Sequence, residues 1–333
     1  MVSQLQVKNF KSMRHLEIPC KKLNVFIGEP NSGKSNIIEA LSLLSQGVIG
    51  QTISKEVVRY SSIADLFFDF NINKPIELIT DEFNYLLRYS ILENGAPENQ
   101  FSFDVDRGSI SSKNAKSNIS ITHEGKIVTA GRQIPTMVRF YQYKRLEAFQ
   151  LGYLPHLTPP FGENLPSLLL SNEDLRNWVS EFFKSRMFTL TLKPAENEIN
   201  ISKLINESII YTYPYLSISE TFQRIVFYIM AIKSNKNAVL LFDEPDSNTF
   251  PFYTKFLAER ISLDESNQFF ITTHNPYLLL SLIEKTPVDK INVNLVRMSE
   301  NYETQVTTLS NKQIEEALDF NSDVFFNIDR IYE

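Results

Sequence analysis

Cysteine is almost missing from this chain: Cys20 is the only one in 333 residues. That excludes a disulfide framework within the chain and any cysteine-rich zinc site. It suits a reducing compartment. Long apolar runs are missing too. The longest, such as Tyr277 to Ile283, fall far short of the roughly 18 residues of a membrane span. The opening MVSQLQVKNF alternates polar and apolar and has no signal-peptide core. No sustained heptad array is present, which excludes a long coiled-coil arm, and there is no internal repeat. Positive charge is not in excess: 33 Lys and Arg face 39 Asp and Glu, a net charge of −6. A wholly basic surface is excluded, but a local basic groove is not. Apolar residues make up 43% of the chain, enough for a sizeable core in one large domain or two ordinary ones. These absences lead to the expectation of a soluble, cytoplasmic protein with no membrane contact.

What is present is patterned at both ends. Leu5 and Val7 alternate with polar neighbours, and Leu16, Ile18 and Cys20 repeat the pattern, so both read as strands. Leu23 to Ile27 (LNVFI) is a short apolar strand that runs into Gly28. Asn36 to Leu44 then has helical spacing. Near the other end, Thr221 to Lys233 reads as a helix apolar nearly all round. Ala238 to Phe242 and Gln268 to Thr272 read as strands of a sheet covered on both faces. Pro251 to Ile261 is helical between them. Two strands (Ile291 to Arg297, Glu303 to Leu309) and a helix from Asn311 follow. The middle is less regular. Short strands are expected around Ile76 to Ile79, Phe101 to Val105, Ile119 to Ile121 and Val138 to Tyr143. Ser109 to Asn118 is expected to be an exposed loop. Helices are expected over Asn172 to Phe183 and Ile201 to Ile210.

Four segments carry chemistry. Gly28-Glu-Pro-Asn31-Ser32-Gly33-Lys34-Ser35 matches the phosphate-binding loop G-x-x-x-x-G-K-[ST], and it sits between an expected strand and helix, as that motif requires. Its backbone N–H groups wrap a phosphate, Lys34 reaches the β- and γ-phosphates, and the Ser35 hydroxyl is a ligand for Mg²⁺. Leu240-Leu-Phe-Asp243-Glu244-Pro245 is an apolar strand ending in two acids. Asp243 at the tip suits Mg²⁺, and Glu244 one step on suits a general base for water. The plain alternative is an acidic turn. His274 follows the next apolar strand, at the same carboxyl edge of the sheet, where ligands bind in such folds. A structural histidine is the alternative there. Leu216-Ser217-Ile218-Ser219-Glu220-Thr221-Phe222 precedes the buried helix, and Ser217 or Ser219 offers a hydroxyl at a helix N-terminus. An ordinary N-cap would look the same. Arg139-Phe-Tyr-Gln-Tyr-Lys-Arg145 alternates basic and aromatic groups, as a single-stranded nucleic acid track does, and equally as an amphipathic strand does.

With these elements in this order, the chain resembles the ABC-type ATPases of the SMC, RecF and OLD branch. Leu5-Gln-Val-Lys-Asn-Phe-Lys-Ser12 is similar to that branch's first strand. GEPNSGKSN is similar to its phosphate loop, LLFDEPDSNTFP to its Walker B and D-loop, ITTHNPYLL to its switch-histidine segment, and LSISETF falls where its signature lies. The resemblance is specific over about 1–50 and 210–285. It implies an α/β P-loop NTPase of the ABC-type head kind, with a mixed or mostly parallel sheet flanked by helices, an antiparallel β edge and an inserted, mostly helical lobe. The single domain would have its core from about 1–60 and 210–310, the inserted lobe over about 61–210, and a strand and helix extension over about 286–333. ATP and Mg²⁺ are the implied cofactors.

Carried over by residue, the resemblance implies nucleotide contacts from Gly28, Asn31, Ser32, Gly33, Lys34, Ser35 and Asn36, and Mg²⁺ held by Ser35 and Asp243. Glu244, His274 and Lys34 are the implied catalytic groups. Ser217 or Ser219 would meet the γ-phosphate bound to a second subunit, and Lys11 and Ser12 would lie by the base or ribose. The signature glycines are replaced by Ile218 and Ser219, and no Q-loop glutamine stands out. Too little chain follows His274 for a Toprim nuclease. Similar stand-alone ATPases accompany separately encoded effectors in prokaryotic anti-phage systems such as Septu or PARIS. The expected activity is therefore ATP hydrolysis by a switch that pairs with itself, as a homodimer or higher even-numbered oligomer, through sandwiched ATP. It would control an effector protein or nucleic acid. A RecF-like DNA repair ATPase and a non-hydrolysing ATP-dependent scaffold are the alternatives.

Overall fold

The computed structural model describes residues 1–46, 52–81, 84–90, 100–106, 116–129, 137–206, 209–319 and 325. Strands β1 (Gln4–Phe10), β2 (Met13–Pro19) and β3 (Leu23–Ile27) open the chain, and helix α1 (Lys34–Gln46) follows. Next come β4 (Ile76–Thr80), β5 (Asn84–Ser90), β6 (Gln100–Asp106), β7 (Lys116–Thr122), β8 (Ile127–Thr129) and β9 (Val138–Tyr141). Helices α2 (Leu165–Ser171) and α3 (Glu173–Lys184) lead to β10 (Thr189–Lys193), β11 (Glu198–Asn206) and β12 (Ile209–Pro214). The last third alternates: α4 (Glu220–Ser234), β13 (Val239–Asp243), α5 (Pro251–Ser262), β14 (Gln268–Thr272), α6 (Pro276–Lys285), β15 (Ile291–Met298), β16 (Thr304–Thr308) and α7 (Asn311–Asp319).

The described strands form three sheets. The central one runs β16-β15-β3-β14-β13-β9. All its pairings are parallel except β15 with β16, which makes the antiparallel edge. An antiparallel sheet, β2-β1-β4-β5-β6-β7-β8, and a small one, β10-β11-β12, complete the set.

Side chains alternate across a strand, so a strand that is apolar at every position needs cover on both faces. The central strands show this directly. Val25, Ile27, Leu240, Phe242, Phe269 and Ile271 point into a core shared with α2 to α7. Phe26, Val239, Leu241 and Phe270 point the other way, into a core shared with α1 and the seven-stranded sheet. The helices start where local chemistry allows. Asn172 caps α3 by accepting from Leu175 N at 3.0 Å, and Asn275 caps α6 by accepting from Tyr277 N at 2.9 Å. Pro251 and Pro276 occupy first-turn positions, where a missing N–H costs nothing.

Two expectations are corrected. Residues 201–206 and 209–210 are strand, not helix: β11 runs to Asn206 and β12 begins at Ile209. The apolar residues there have helical spacing, yet Leu204, Ile205, Ile209 and Ile210 are exposed, so no core fixes a helix. Antiparallel pairing wins, turning Ile199 and Ile201 inward instead. The middle segment is accordingly β-rich rather than mostly helical, with α2 and α3 its only α-helices among the described residues. Most of its strands pair with their sequence neighbours, but two find partners far along the chain, β4 on β1 and β9 on β13. One of them, β9, forms an edge of the central sheet beside β13. The expected loop at Ser109 to Asn118 lies outside the described residues up to 115, and its last residues belong to β7.

The two-faced burial has a measurable cost. Leu240, fully buried on one face of β13, is expected to lose about 2–5 kcal/mol of folding stability on Leu240→Ala. Urea denaturation reads this directly, and a loss within experimental error of zero would contradict the packing.

Candidate functional site

The parallel strands β3, β13 and β14 end side by side, and each hands over to a loop that carries site residues. After β3, the phosphate loop needs two unusual backbone positions. Gly28 has φ +148°, and a Cβ there would meet Val296 O at 2.0 Å; Gly33 has φ +101°, and a Cβ would meet Thr304 Oγ1 at 2.0 Å. Side chains are excluded at both by neighbours as well as by dihedral. Asn31 takes a left-handed conformation at φ 62°.

Lys34 is buried. Its ammonium donates to Gly28 O at 3.0 Å, Glu29 O at 2.7 Å and Ser32 Oγ at 3.3 Å. Burial lowers its pKa, and the carboxylates of Glu244, Asp243 and Glu29 pull it back up. A cation stripped of water and held by carbonyl oxygens is well placed to exchange them for phosphate oxygens. A cavity of about 270 Å³ lies against the loop, between Gly28–Pro30 with Ser32 and Leu295–Met298.

Ser35 and Asp243 lie 208 positions apart in the chain, yet Ser35 Oγ donates to Asp243 Oδ1 at 3.2 Å. Asp243 is held raised in pKa, first by burial; hydrogen bonds from Thr272 and Ser35 act the other way. Both groups are hard oxygens, the donor type that Mg²⁺ takes. A divalent cation would also offset the cost of the buried carboxylate, so the donor set fits. Among the described residues no cluster of three or more His, Cys, Asp or Glu side chains could hold a metal by itself. A cation here therefore needs phosphate oxygens and water to complete its shell.

Glu244 follows at φ 46°, the left-handed region, which turns the chain sharply away from β13. Its amide donates to Thr272 O at 3.2 Å and to Thr272 Oγ1 at 3.0 Å. The Thr272 hydroxyl itself donates to Asp243. The Glu244 carboxylate meets His274 Nε2 at 3.2 Å and accepts from Ser247 Oγ at 3.2 Å. Burial, then Lys34, lower the pKa of His274, while Glu244 and Asp243 raise it. The lowering effects win, so the neutral ring is favoured near pH 7, with its Nε2 beside the Glu244 carboxylate.

The remaining expected residues fall into two groups. Ser12 and Asn36 lie on the flank of the phosphate loop. Asn36 Nδ2 donates to Ser12 Oγ at 2.8 Å, and Ser12 Oγ pairs with Thr304 Oγ1 at 2.6 Å. Thr304 then donates to Ser32 O at 3.1 Å, so β16 braces the loop from behind. Lys11 sits in the β1–β2 turn but is spent on Glu39 and on Arg59 O at 2.7 Å, with Arg59 Nε also on Glu39 at 2.6 Å. Ser217 and Ser219 are exposed. Ser217 Oγ donates to Pro214 O at 2.7 Å, while Ser219 is the N-cap of α4 with no side-chain cap bond. Gln223 props this turn by donating to Ile218 O at 2.9 Å.

The basic and aromatic stretch is largely built into the fold. Phe140 and Tyr141 are buried, Arg139 bonds Asn235, Lys144 pairs with Glu56 at 2.7 Å, and Arg145 donates to Leu216 O at 2.9 Å. Sequence reasoning missed Thr272, Thr273, Thr304 and Asp246. The paired threonines before His274 were a usable signal, because two hydroxyls at the end of a buried strand need partners. Thr304 offered none.

Asp246 is buried, and its pKa is pushed up from the ordinary 3.8 to about 6, mainly by burial. The fold therefore favours its protonated form, and stability falls as pH rises from about 3.8 through about 6. Asp246→Asn removes this dependence. Its melting temperature is expected to gain on the wild type's between about pH 4 and about pH 7. A difference independent of pH would contradict the burial.

The comparisons with known proteins agree with this geometry. Residues 1–137 match the AAA ATPase domain family, and residues 170–281 match a second AAA domain family whose description names the AbiEii toxin of a type IV toxin–antitoxin system. The chain is 30% identical over 90 residues to an ATP/GTP phosphatase of Helicobacter pylori, covering 24% of each protein. It is 34% identical over 61 residues to the DNA replication and repair protein RecF of Bacillus mycoides, covering 18% of this chain and 16% of that protein. The chain thus spans a quarter or less of the length of these curated relatives. Among solved structures, an SMC head bound to the C-winged helix domain of ScpA superposes with a TM-score of 0.54 at 18% identity, over 95% of this chain and 99% of that one. This chain has the SMC head-like α/β P-loop ATPase fold, with AAA-domain sequence matches over residues 1–137 and 170–281.

Proposed function

We propose that this protein is an ATP-binding and ATP-hydrolysing switch that acts in pairs and controls a protein effector. The observation that carries the reading is the meeting of the Ser35–Asp243 pair and the Glu244–His274 pair at one sheet edge beside Lys34. On ATP binding, Lys34 exchanges its carbonyl partners for β- and γ-phosphate oxygens. Ser35 and Asp243 would hold Mg²⁺, which would supply charge neutralisation on those oxygens. Glu244 takes a proton from a water whose oxygen attacks the γ-phosphorus, while the bond to the β–γ bridging oxygen breaks and ADP leaves. His274, neutral and 3.2 Å from the Glu244 carboxylate, can donate to the γ-phosphate and so report its presence.

The turn before α4 supports the pairing. Ser219 at the start of α4 has a free hydroxyl and a helix N-terminus, both suited to an anion. Within its own chain, Ser217 is tied to Pro214. A second copy facing the phosphate loop would bring this turn to the γ-phosphate, with Ser219 the better placed of the two. The effector reading is supported by the net charge of −6, by the partner-bound state of the similar SMC head, and by the toxin–antitoxin description of the second family match. A cytoplasmic role in prokaryotic anti-phage defence fits these features. The short likeness to RecF favours DNA as a second partner class. Binding to DNA that weakens steeply with salt would support that second reading.

Glu244→Gln tests the enzyme and the pair together. ATP turnover is expected to fall by about a hundredfold or more, and the variant is expected to elute as a dimer in ATP and a monomer without it. Unchanged turnover would remove Glu244 as the base, and a monomer in saturating ATP would sink the sandwich.

A further inference from the structure

Asp246 is the buried acid of the site to which the chemistry above gives no task. It lies two residues past Glu244, on the turn that carries Glu244 away from β13, and is 6% exposed. The turn closes through its backbone, with Ser247 N donating to Glu244 O and Thr249 N to Asp246 O, both at 3.1 Å. Besides a bond to its own backbone, the Asp246 carboxylate crosses to the other loop. Thr273 Oγ1 donates to Asp246 Oδ1 at 3.0 Å, and the Asn275 side chain bonds the same carboxylate. These are the residues immediately before and after His274. Asn275 N in turn donates to Thr273 Oγ1 at 2.9 Å, and Asn275 Oδ1 caps α6.

One carboxylate on the Glu244 turn thus grips both flanks of His274. The need for a carboxylate is chemical. Two side-chain donors arrive from one loop, and an ionised acid presents two oxygens that only accept, whereas a hydroxyl or an amide must also place its own protons. The need for rigidity is geometric. Glu244 and His274 stand on different loops, and a 3.2 Å contact between them survives only if those loops are fixed to within about 0.5 Å. Thr272 ties the Glu244 amide to the end of β14, two residues short of the imidazole. Asp246 closes that gap.

We infer that Asp246 is the positioning residue that sets His274 against Glu244. For turnover this rests on the proposed ATP hydrolysis; for the ring's placement it does not. The test uses the full chain with ¹⁵N-labelled histidine. His274→Gln identifies the ring signals of His274, and Asp246→Ala and Asp246→Asn are compared with the wild type in the same spectra and in ATP titrations. In Asp246→Ala the His274 ring signals are expected to move while those of the other histidines stay. Turnover at saturating ATP is expected to fall about tenfold, with the ATP concentration for half-maximal rate changed less than about threefold. Asp246→Asn, which keeps one acceptor for Thr273, is expected to restore part of both, and it serves as the readout if the alanine variant does not fold. Unmoved His274 signals overturn the inference, whether or not ATP is hydrolysed. Loss of ATP binding in step with turnover overturns it too, because it marks general damage. His274 signals that depend on Asp246 in a protein without ATP turnover uphold the positioning and overturn the proposed function.

Discussion

The 3.2 Å hydrogen bond from Ser35 Oγ to Asp243 Oδ1 is the contact on which the site depends. It joins the first residue past the phosphate loop's lysine to the tip of β13, across 208 positions of sequence. It exists because β3, β14 and β13 run parallel in register, so their carboxyl ends stop at one level. The two-sided burial of those strands holds that level. Everything the site can do with a phosphate depends on this meeting of distant segments, since neither end of the chain carries both the lysine and the acids.

Around that contact the loops are tied in a consistent way: a strand end offers hydroxyls, and the neighbouring loop spends its acids or amides on them. Thr272 serves Asp243 and the Glu244 amide, Thr273 serves Asp246, and Thr304 with Ser12 serves the backbone of Ser32. Hydroxyls suit this work because each can accept and donate at once. The result is a constellation held by short-range hydrogen bonds, several of them to carboxylates, with Lys34, Asp243 and Glu244 gathered where a ligand can meet them. Burial raises the pKa of Asp243 and lowers that of Lys34, so each gains from a partner of opposite sign. A phosphate and a divalent cation arriving together would relieve both strains.

Legibility in the sequence followed the range of the interactions involved. The phosphate loop, the Asp243–Glu244 pair and His274 are local strings with fixed spacing beside strong apolar strands, and all lie at the same sheet edge. The geometry at Gly28 and Gly33 is likewise written in the residue type. The hairpin at β11 and β12 was misread because Leu204, Ile205 and Ile209 repeat at a helical interval while covering no core. Periodicity reports burial, and here there is none to report. The braces at Thr304 and Asp246 were invisible for a different reason. Their meaning lies in partners that only the folded sheet brings near, Ser32 in one case and Thr273 in the other. The basic and aromatic run at Arg139 to Arg145 reads two ways for the same reason: Phe140 and Tyr141 are buried in the fold, while Lys144 and Arg145 are exposed beside Glu56 and Leu216 O.

The central claim is that the two ends of the chain form one phosphate and cation site. A double-mutant cycle on Mg²⁺-dependent ATP affinity, with Ser35→Ala, Asp243→Asn and the pair, tests it most directly. If the two residues hold one cation, the second substitution is expected to add little to the first, leaving a coupling of about 1 kcal/mol or more. Losses that simply add, or ATP affinity indifferent to both changes and to Mg²⁺, would contradict it.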